Sequence, residues 1–205
     1  MILIIDNYDS FVYNIYQYIK QMSSDSVMCV RNDKITLDEI KELNPTHIVL
    51  SPGPKHPKDS GVCLEILRAD LNIPILGVCL GHQAIGLVFG AKIKQLKVPK
   101  HGKTSEIEIL SKDDLFKGLS DKFSVMRYHS LYVDELPPCL EVSARSLDDG
   151  VVMAYRHKFK PIFGVQFHPE SYFSEYGKKI IENFINFNKE SKNSMTNYAP
   201  YMTKL

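Results

Sequence analysis

Three short stretches carry residue types that do chemistry together. The first is Gly77-Val78-Cys79-Leu80-Gly81, a glycine-flanked cysteine at the end of an apolar run. A G-x-nucleophile-x-G pattern predicts a sharp strand-to-helix turn, because glycines on both sides remove Cβ clashes and let the central residue adopt a strained, exposed conformation. Cys79 would then stand at a helix N-terminus, where the dipole favours a thiolate, with the Leu80 N–H pointing toward an oxyanion. The second stretch is GVQFHPES, residues 164–171, with His168 and Glu170 two positions apart. In an extended segment both side chains share a face, so the imidazole can act as base toward a thiol while the carboxylate fixes its tautomer. The third is LSPGP, residues 50–54, where Pro52 and Pro54 stiffen a turn around Gly53 whose N–H would be a second oxyanion donor. Taken singly, these read as a buried cysteine, a structural histidine and an ordinary Pro-Gly turn. Taken together they read as a Cys79-His168-Glu170 triad with an oxyanion hole from Gly53 and Leu80.

A triad assembled from such distant residues needs a scaffold whose strand ends converge. Apolar runs rich in Ile, Val and Leu recur at residues 2–5, 27–30, 47–50 and 74–78, each followed by a loop and a helical pattern. Ser10 is expected to cap a helix carrying Phe11, Ile15, Tyr18 and Ile19, and Thr36 a second with Leu37, Ile40 and Leu43. A third helix is expected over residues 62–68, and a fourth directly after Cys79. This alternation predicts an α/β fold with an open, mostly parallel, doubly wound sheet and helices on both faces. Beyond Gly90, shorter alternating segments at 105–110, 124–127, 140–146 and 151–155 read as antiparallel additions. A last strand over 161–167 leads through HPESY into a helix with Ile180, Ile181, Phe184, Ile185 and Phe187 on its apolar side. Residues 1–189 are expected to form one domain, and the polar stretch 190–205 a loose tail.

Composition limits the function classes. The chain has 205 residues, 44% hydrophobic, with 25 basic and 24 acidic side chains, enough for one core that buries roughly 70% of the unfolded surface without a metal or disulfide staple. A near-neutral charge argues against a nucleic-acid partner, and the absence of a long apolar run against a membrane one. MILIID reaches Asp6 without a basic flank or cleavage site, so it reads as a buried strand, not a leader. Cys29, Cys63, Cys79 and Cys139 form no C-x-x-C pair, so neither a zinc site nor a disulfide framework is indicated and a reducing cytoplasm fits.

The blocks GVCLGHQ, SPGP and GVQFHPES resemble the three signature blocks of class I glutamine amidotransferases. The resemblance runs from Met1 to about Asn188. DNYDSFVYN (6–14), HGKTS (101–105) and RYHSLYV (127–133) are further similar to the glutaminase subunits of chorismate-using synthases, either aminodeoxychorismate synthase or anthranilate synthase component II. The resemblance implies that Cys79 attacks glutamine, that His168 is base and acid, and that Glu170 orients it. It also implies that Pro52, Gly53, Pro54, Gln83, His129, Ser130 and Leu131 line the L-glutamine site. Since the resemblance takes up the chain, the acceptor synthase is expected on a separate polypeptide; no cofactor is expected here, and magnesium only in that partner. Arg31 to Ile40 and the HPES ending lean toward the aminodeoxychorismate type, with anthranilate synthase or service to both as alternatives. The alternative of a different class is a catalytically idle binding subunit. One departure is Lys55-His56, where the family pattern continues with glycine and a small residue; Lys55 is expected to alter the rim of the glutamine pocket or the contact with the synthase, and to leave Gly53 and the activity intact.

Overall fold

The structure, a computed structural model, describes residues 1–112 and 114–187. The expected tail at 190–205 therefore lies outside the described residues. In chain order the strands are β1 (Ile2–Asp6), β2 (Val27–Arg31), β3 (His47–Leu50), β4 (Ile75–Val78), β5 (Lys92–Ile109), β6 (Lys122–Asp134), β7 (Leu140–Ser146), β8 (Val152–His157) and β9 (Ile162–Val165). The α-helices are α1 (Val12–Met22), α2 (Leu37–Leu43), α3 (Val62–Arg68), α4 (Leu80–Phe89) and α5 (Gly177–Asn186).

These nine strands form one sheet in the order β2-β1-β3-β4-β9-β8-β7-β5-β6. From β2 to β9 the neighbours are parallel, and from β9 to β6 they are antiparallel. The α/β expectation therefore holds, as a mixed sheet. Alternation along β1 assigns the two layers: Ile2 and Ile4 pack into a core with Val12, Ile15 and Ile19 of α1 and Ile180, Ile181 and Phe184 of α5. Leu3 and Ile5 face the opposite core with Ile40 of α2, Ile66 and Leu67 of α3 and Ile85 of α4. Both sides of the parallel half are covered, which is why its strands are uninterrupted apolar runs.

Several element boundaries depart from the sequence reading. Ser10 does not cap α1: the helix starts at Val12 with no side-chain cap, and the Asp9 carboxylate accepts the Phe11 N–H at 2.8 Å. That bond fixes the residue at the cap position, Phe11, and leaves the first N–H groups of the helix without a side-chain acceptor. Thr36 does cap α2, in a capping box with Glu39, but Leu43 at its end is exposed. The last strand is shorter than 161–167, ending at Val165. The antiparallel segments are much longer: β5 runs for 18 residues and β6 for 13. Their outer half is a ribbon with irregular register between Gln95 and Lys100, solvated on its lysine-rich face, so alternating burial marks only the half near the core.

Topology gathers the site. β2 and β3 flank β1 on opposite sides, so the connections reverse direction there, and ligands in open α/β sheets bind beyond the carboxyl ends of strands at such reversals. Asn7 follows β1, the SPGP loop follows β3, Cys79 follows β4 and the HPE turn follows β9. The four therefore share one edge.

Candidate active site

Cys79 sits between β4 and α4 at φ 51° and ψ −97°, a left-handed conformation that a residue with a Cβ adopts at a cost. Surrounding bonds hold it there. Its N–H donates to the Val165 carbonyl of β9 at 2.8 Å, and its carbonyl accepts the Gln83 N–H at 3.0 Å, opening the helix. Gly81 lets that helix lie against β3: a Cβ there would be 2.3 Å from the Leu50 carbonyl oxygen. The tight turn read from G-x-C-x-G is thus the one that forms, with Leu80 as the first residue of α4.

His168 and Glu170 are paired and buried, with Nδ1 2.6 Å from Oε1. They meet through a turn and not through strand alternation, since β9 has ended and the Ser171 N–H donates to the His168 carbonyl at 3.2 Å. The His168 N–H donates to Met126 of β6 at 3.0 Å, and Tyr128 packs its ring at 80° to the imidazole. Nε2 has no hydrogen-bond partner among the described residues. Burial disfavours a charged ring, but the sulfur of Cys79 and the carboxylate of Glu170 outweigh it and hold the His168 pKa well above the usual histidine value. The site therefore favours the protonated imidazole. A cavity of about 240 Å³ opens onto His168 and Glu170 and is walled by Phe11, Tyr128, Tyr172 and Phe173.

The SPGP loop is clamped by Asn7. The Asn7 N–H donates to Ser51 Oγ and its Nδ2 donates to the Ser51 carbonyl, both at 2.8 Å. Ser51 Oγ in turn donates to the Pro52 carbonyl at 2.7 Å. Gly53 is pressed into this clamp: a Cβ would lie 2.4 Å from the Asn7 carbonyl oxygen and 3.0 Å from Leu80 Cδ2. Gly53 and Leu80, the two expected donors, are therefore neighbours. Pro54 and Lys55 line a cavity of about 400 Å³ beside Leu80, and Lys55 takes φ 74°, a conformation that a glycine would adopt without steric cost. His56 accepts the Lys58 N–H at its Nδ1, capping a short 3₁₀ turn.

Gln83 and Leu131 are brought together, the Gln83 Nε2 donating to the Leu131 carbonyl at 2.9 Å. His129 is buried with both ring nitrogens engaged, Nδ1 with the Leu131 carbonyl at 2.8 Å and Nε2 with Arg127 Nε at 3.0 Å. Burial, helped by the Arg127 charge, lowers its pKa to about 4, so the ring is neutral. Ser130 is exposed. Sequence reading missed two groups here. Gln166, fully buried, reaches Cys79 Sγ with its Nε2 at 3.7 Å; its only signal was its place two residues before His168. Arg127, also fully buried, is held by Asp148 at 3.2 Å and Asp149 at 2.9 Å. Against the effect of burial, hydrogen bonds from Lys100, Ser146 and Ser105 keep Asp148 well below the usual carboxylate range.

Comparison with known proteins agrees with this geometry. The family description "Glutamine amidotransferase class-I" matches residues 3–187. The chain is 48% identical over 188 residues to the aminodeoxychorismate/anthranilate synthase component 2 of Bacillus subtilis, covering 90% of this chain and 95% of that one. It is 51% identical over 189 residues to the bifunctional protein TrpGD of Thermotoga maritima, covering 90% of this chain and 32% of that protein, so it spans about a third of that relative. Among solved structures, a Thermoplasma acidophilum protein assigned to GMP synthase as one of its components superposes with a TM-score of 0.83 at 28% identity, covering 95% of this chain and 96% of that one. With the elbow, the His-Glu pair and the clamped SPGP loop on one sheet edge, and a family match over nearly every described residue, the chain belongs to the class I glutamine amidotransferases.

Proposed function

We propose that the chain is the glutaminase subunit of a two-chain, chorismate-using synthase, working through a Cys79-His168-Glu170 triad and a γ-glutamyl thioester. The observation that carries this reading is a strained cysteine on the same sheet edge as a buried histidine whose free Nε2 is backed by a carboxylate. The Cys79 sulfur attacks the side-chain carbonyl carbon of glutamine, forming the S–C bond while the oxygen becomes an oxyanion held by the Gly53 and Leu80 N–H groups. His168 gives its proton to the leaving nitrogen as the C–N bond breaks, releasing ammonia. It then takes a proton from water, whose oxygen attacks the thioester, expels the thiolate and yields glutamate. Pro52, Pro54, Gln83 and the 129–131 segment would surround the amino acid end of the substrate.

The acceptor is proposed to be a separate component I. Ammonia is mostly protonated at neutral pH and then a poor nucleophile, so a synthase docked over the site gains by receiving it directly. The aminodeoxychorismate branch is favoured by the blocks at residues 31–40 and 168–171; anthranilate synthase is the second reading, and the Bacillus subtilis relative carries both names. Residues 1–189 would form the catalytic domain.

The test is Cys79→Ser in the reconstituted complex. Glutamine-supported product should disappear and ammonia-supported product should persist. Loss of both would contradict the division of labour, and glutamine turnover by the variant would contradict the nucleophile. Running the wild-type reconstitution with each synthase, and assaying anthranilate against aminodeoxychorismate, assigns the branch.

A further inference from the structure

The Cys79 sulfur has a neighbour that the triad does not use. Gln166 lies two residues before His168, is fully buried, and directs Nε2 at Sγ from 3.7 Å, within reach for a sulfur acceptor. A carboxamide has a donor end and an acceptor end of nearly equal size, so which one faces the sulfur must be set by its other contacts. Here those contacts form an unbroken chain whose direction follows from chemistry alone. Arg127 only donates, so the His129 Nε2 that meets its Nε at 3.0 Å must accept. The neutral ring then carries its proton on Nδ1 and donates it to the Leu131 carbonyl at 2.8 Å. That carbonyl only accepts, so the Gln83 group 2.9 Å from it is the amide nitrogen. The second proton of the same nitrogen goes to Gln166 Oε1 at 3.1 Å. With its oxygen committed, Gln166 has only its NH₂ to offer the sulfur.

Arg127 is fixed at the far end, donating to Asp148 at 3.2 Å, Asp149 at 2.9 Å and Ser105 at 3.1 Å. Arg127, His129, Gln83 and Gln166 are themselves buried, where polar chains are strong when complete and costly when broken.

We propose that Gln166 is a positioning residue for the nucleophile: its carboxamide donates to Cys79 Sγ and selects the ionised sulfur, and the chain Arg127–His129–Leu131–Gln83 keeps the donor end facing it. The inference rests on Cys79 being the nucleophile, as proposed above. A hydrogen bond of this kind strengthens when its acceptor becomes charged, so it shifts the sulfur toward the thiolate without contacting glutamine.

The pH profile of Cys79 alkylation by iodoacetamide tests it, read in the full chain by mass spectrometry of the Cys79 peptide. Gln166→Met keeps the length and removes the donor. It should move the midpoint up by about one pH unit, a tenfold loss of reactive sulfur at a fixed pH below the midpoint. Gln83→Met leaves Gln166 in place but frees its amide to turn. It should move the midpoint the same way by a smaller amount, and the double variant no further than Gln166→Met alone. If Gln166→Met does not fold, the Gln83→Met profile decides. An unmoved midpoint in a folded variant, or full additivity in the double variant, overturns the proposal. Either result is separable from failure of the nucleophile assignment, which is read by glutamine turnover in Cys79→Ser.

Discussion

Gly53 is the residue at which the least chemistry carries the most consequence. It has no side chain to react, yet a single added carbon would lie 2.4 Å from the Asn7 carbonyl oxygen and 2.7 Å from Asn7 Cβ. Neither neighbour can yield, because Asn7 is bonded to Ser51 through both its N–H and its Nδ2. Gly53→Ala must therefore displace the loop, and with it one expected oxyanion donor. A glutaminase rate lower by about 10²- to 10³-fold is expected, with iodoacetamide labelling of Cys79 unchanged; equal losses in both would mean that the whole edge has moved. Asn7 sits in the DNYDSFVYN block and Ser51 immediately precedes Pro52. The block that narrowed the subfamily thus has a mechanical part in the site. That link was not legible in the sequence, since a clamp between residues 44 positions apart leaves no local pattern.

At the scale of elements, α2 gives the cleanest check on local reasoning. Its Thr36 side chain accepts the Glu39 N–H at 3.3 Å while Glu39 accepts the Thr36 N–H at 2.7 Å. Thr36→Ala should lower the unfolding free energy by about 1 kcal/mol in urea titration and leave glutamine turnover at the wild-type rate, because no residue of α2 lines the cavities beside His168 or Leu80. The helix was readable because both halves of the cap lie within four residues. The elbow was readable for a similar reason: its glycines, Cys79 and the start of α4 lie within five consecutive residues. Ser10 misled because the helix begins one residue later than its capping would require, with Phe11 at the cap position. The long ribbon of β5 and β6 was legible only in part. From Lys92 to Lys103 its exposed residues carry repeated lysines, a composition that protects a sheet edge from pairing with other chains and also hides it from a search for apolar alternation.

For the whole molecule, two neutral imidazoles in the interior set an acid limit on stability. Burial lowers His82 to about 3 and His129 to about 4, both below the unfolded value near 6.5. Between those values the unfolded chain binds protons that the folded chain does not, so the contribution of these two rings is complete above about pH 6.5 and falls as the solution is acidified toward 4, while His168, raised in the folded chain, contributes with the opposite sign. Chemical denaturation at pH 7 and pH 5 should differ by roughly 1–2 kcal/mol for each ring, and His129→Asn should remove one share of the difference. A stability flat across this window would mean that the rings are not buried as described. The fold class was legible from four strand-helix repeats, and the shared edge of Cys79, His168 and Glu170 from three motifs; the chain from Arg127 to Cys79 was not, because its members come from β6, α4 and the turn after β9. Strand β9 lies between β4 and β8 in the middle of the sheet, although it is the last strand among the described residues. During synthesis, then, Cys79 leaves the ribosome long before His168, the base proposed for it, and the place beside β4 is filled only when β9 has emerged. Under the proposed mechanism, a nascent or truncated chain would hold a thiol with no partner to activate it, so glutamine cleavage would report on the completed sheet and stay switched off while the chain is being made.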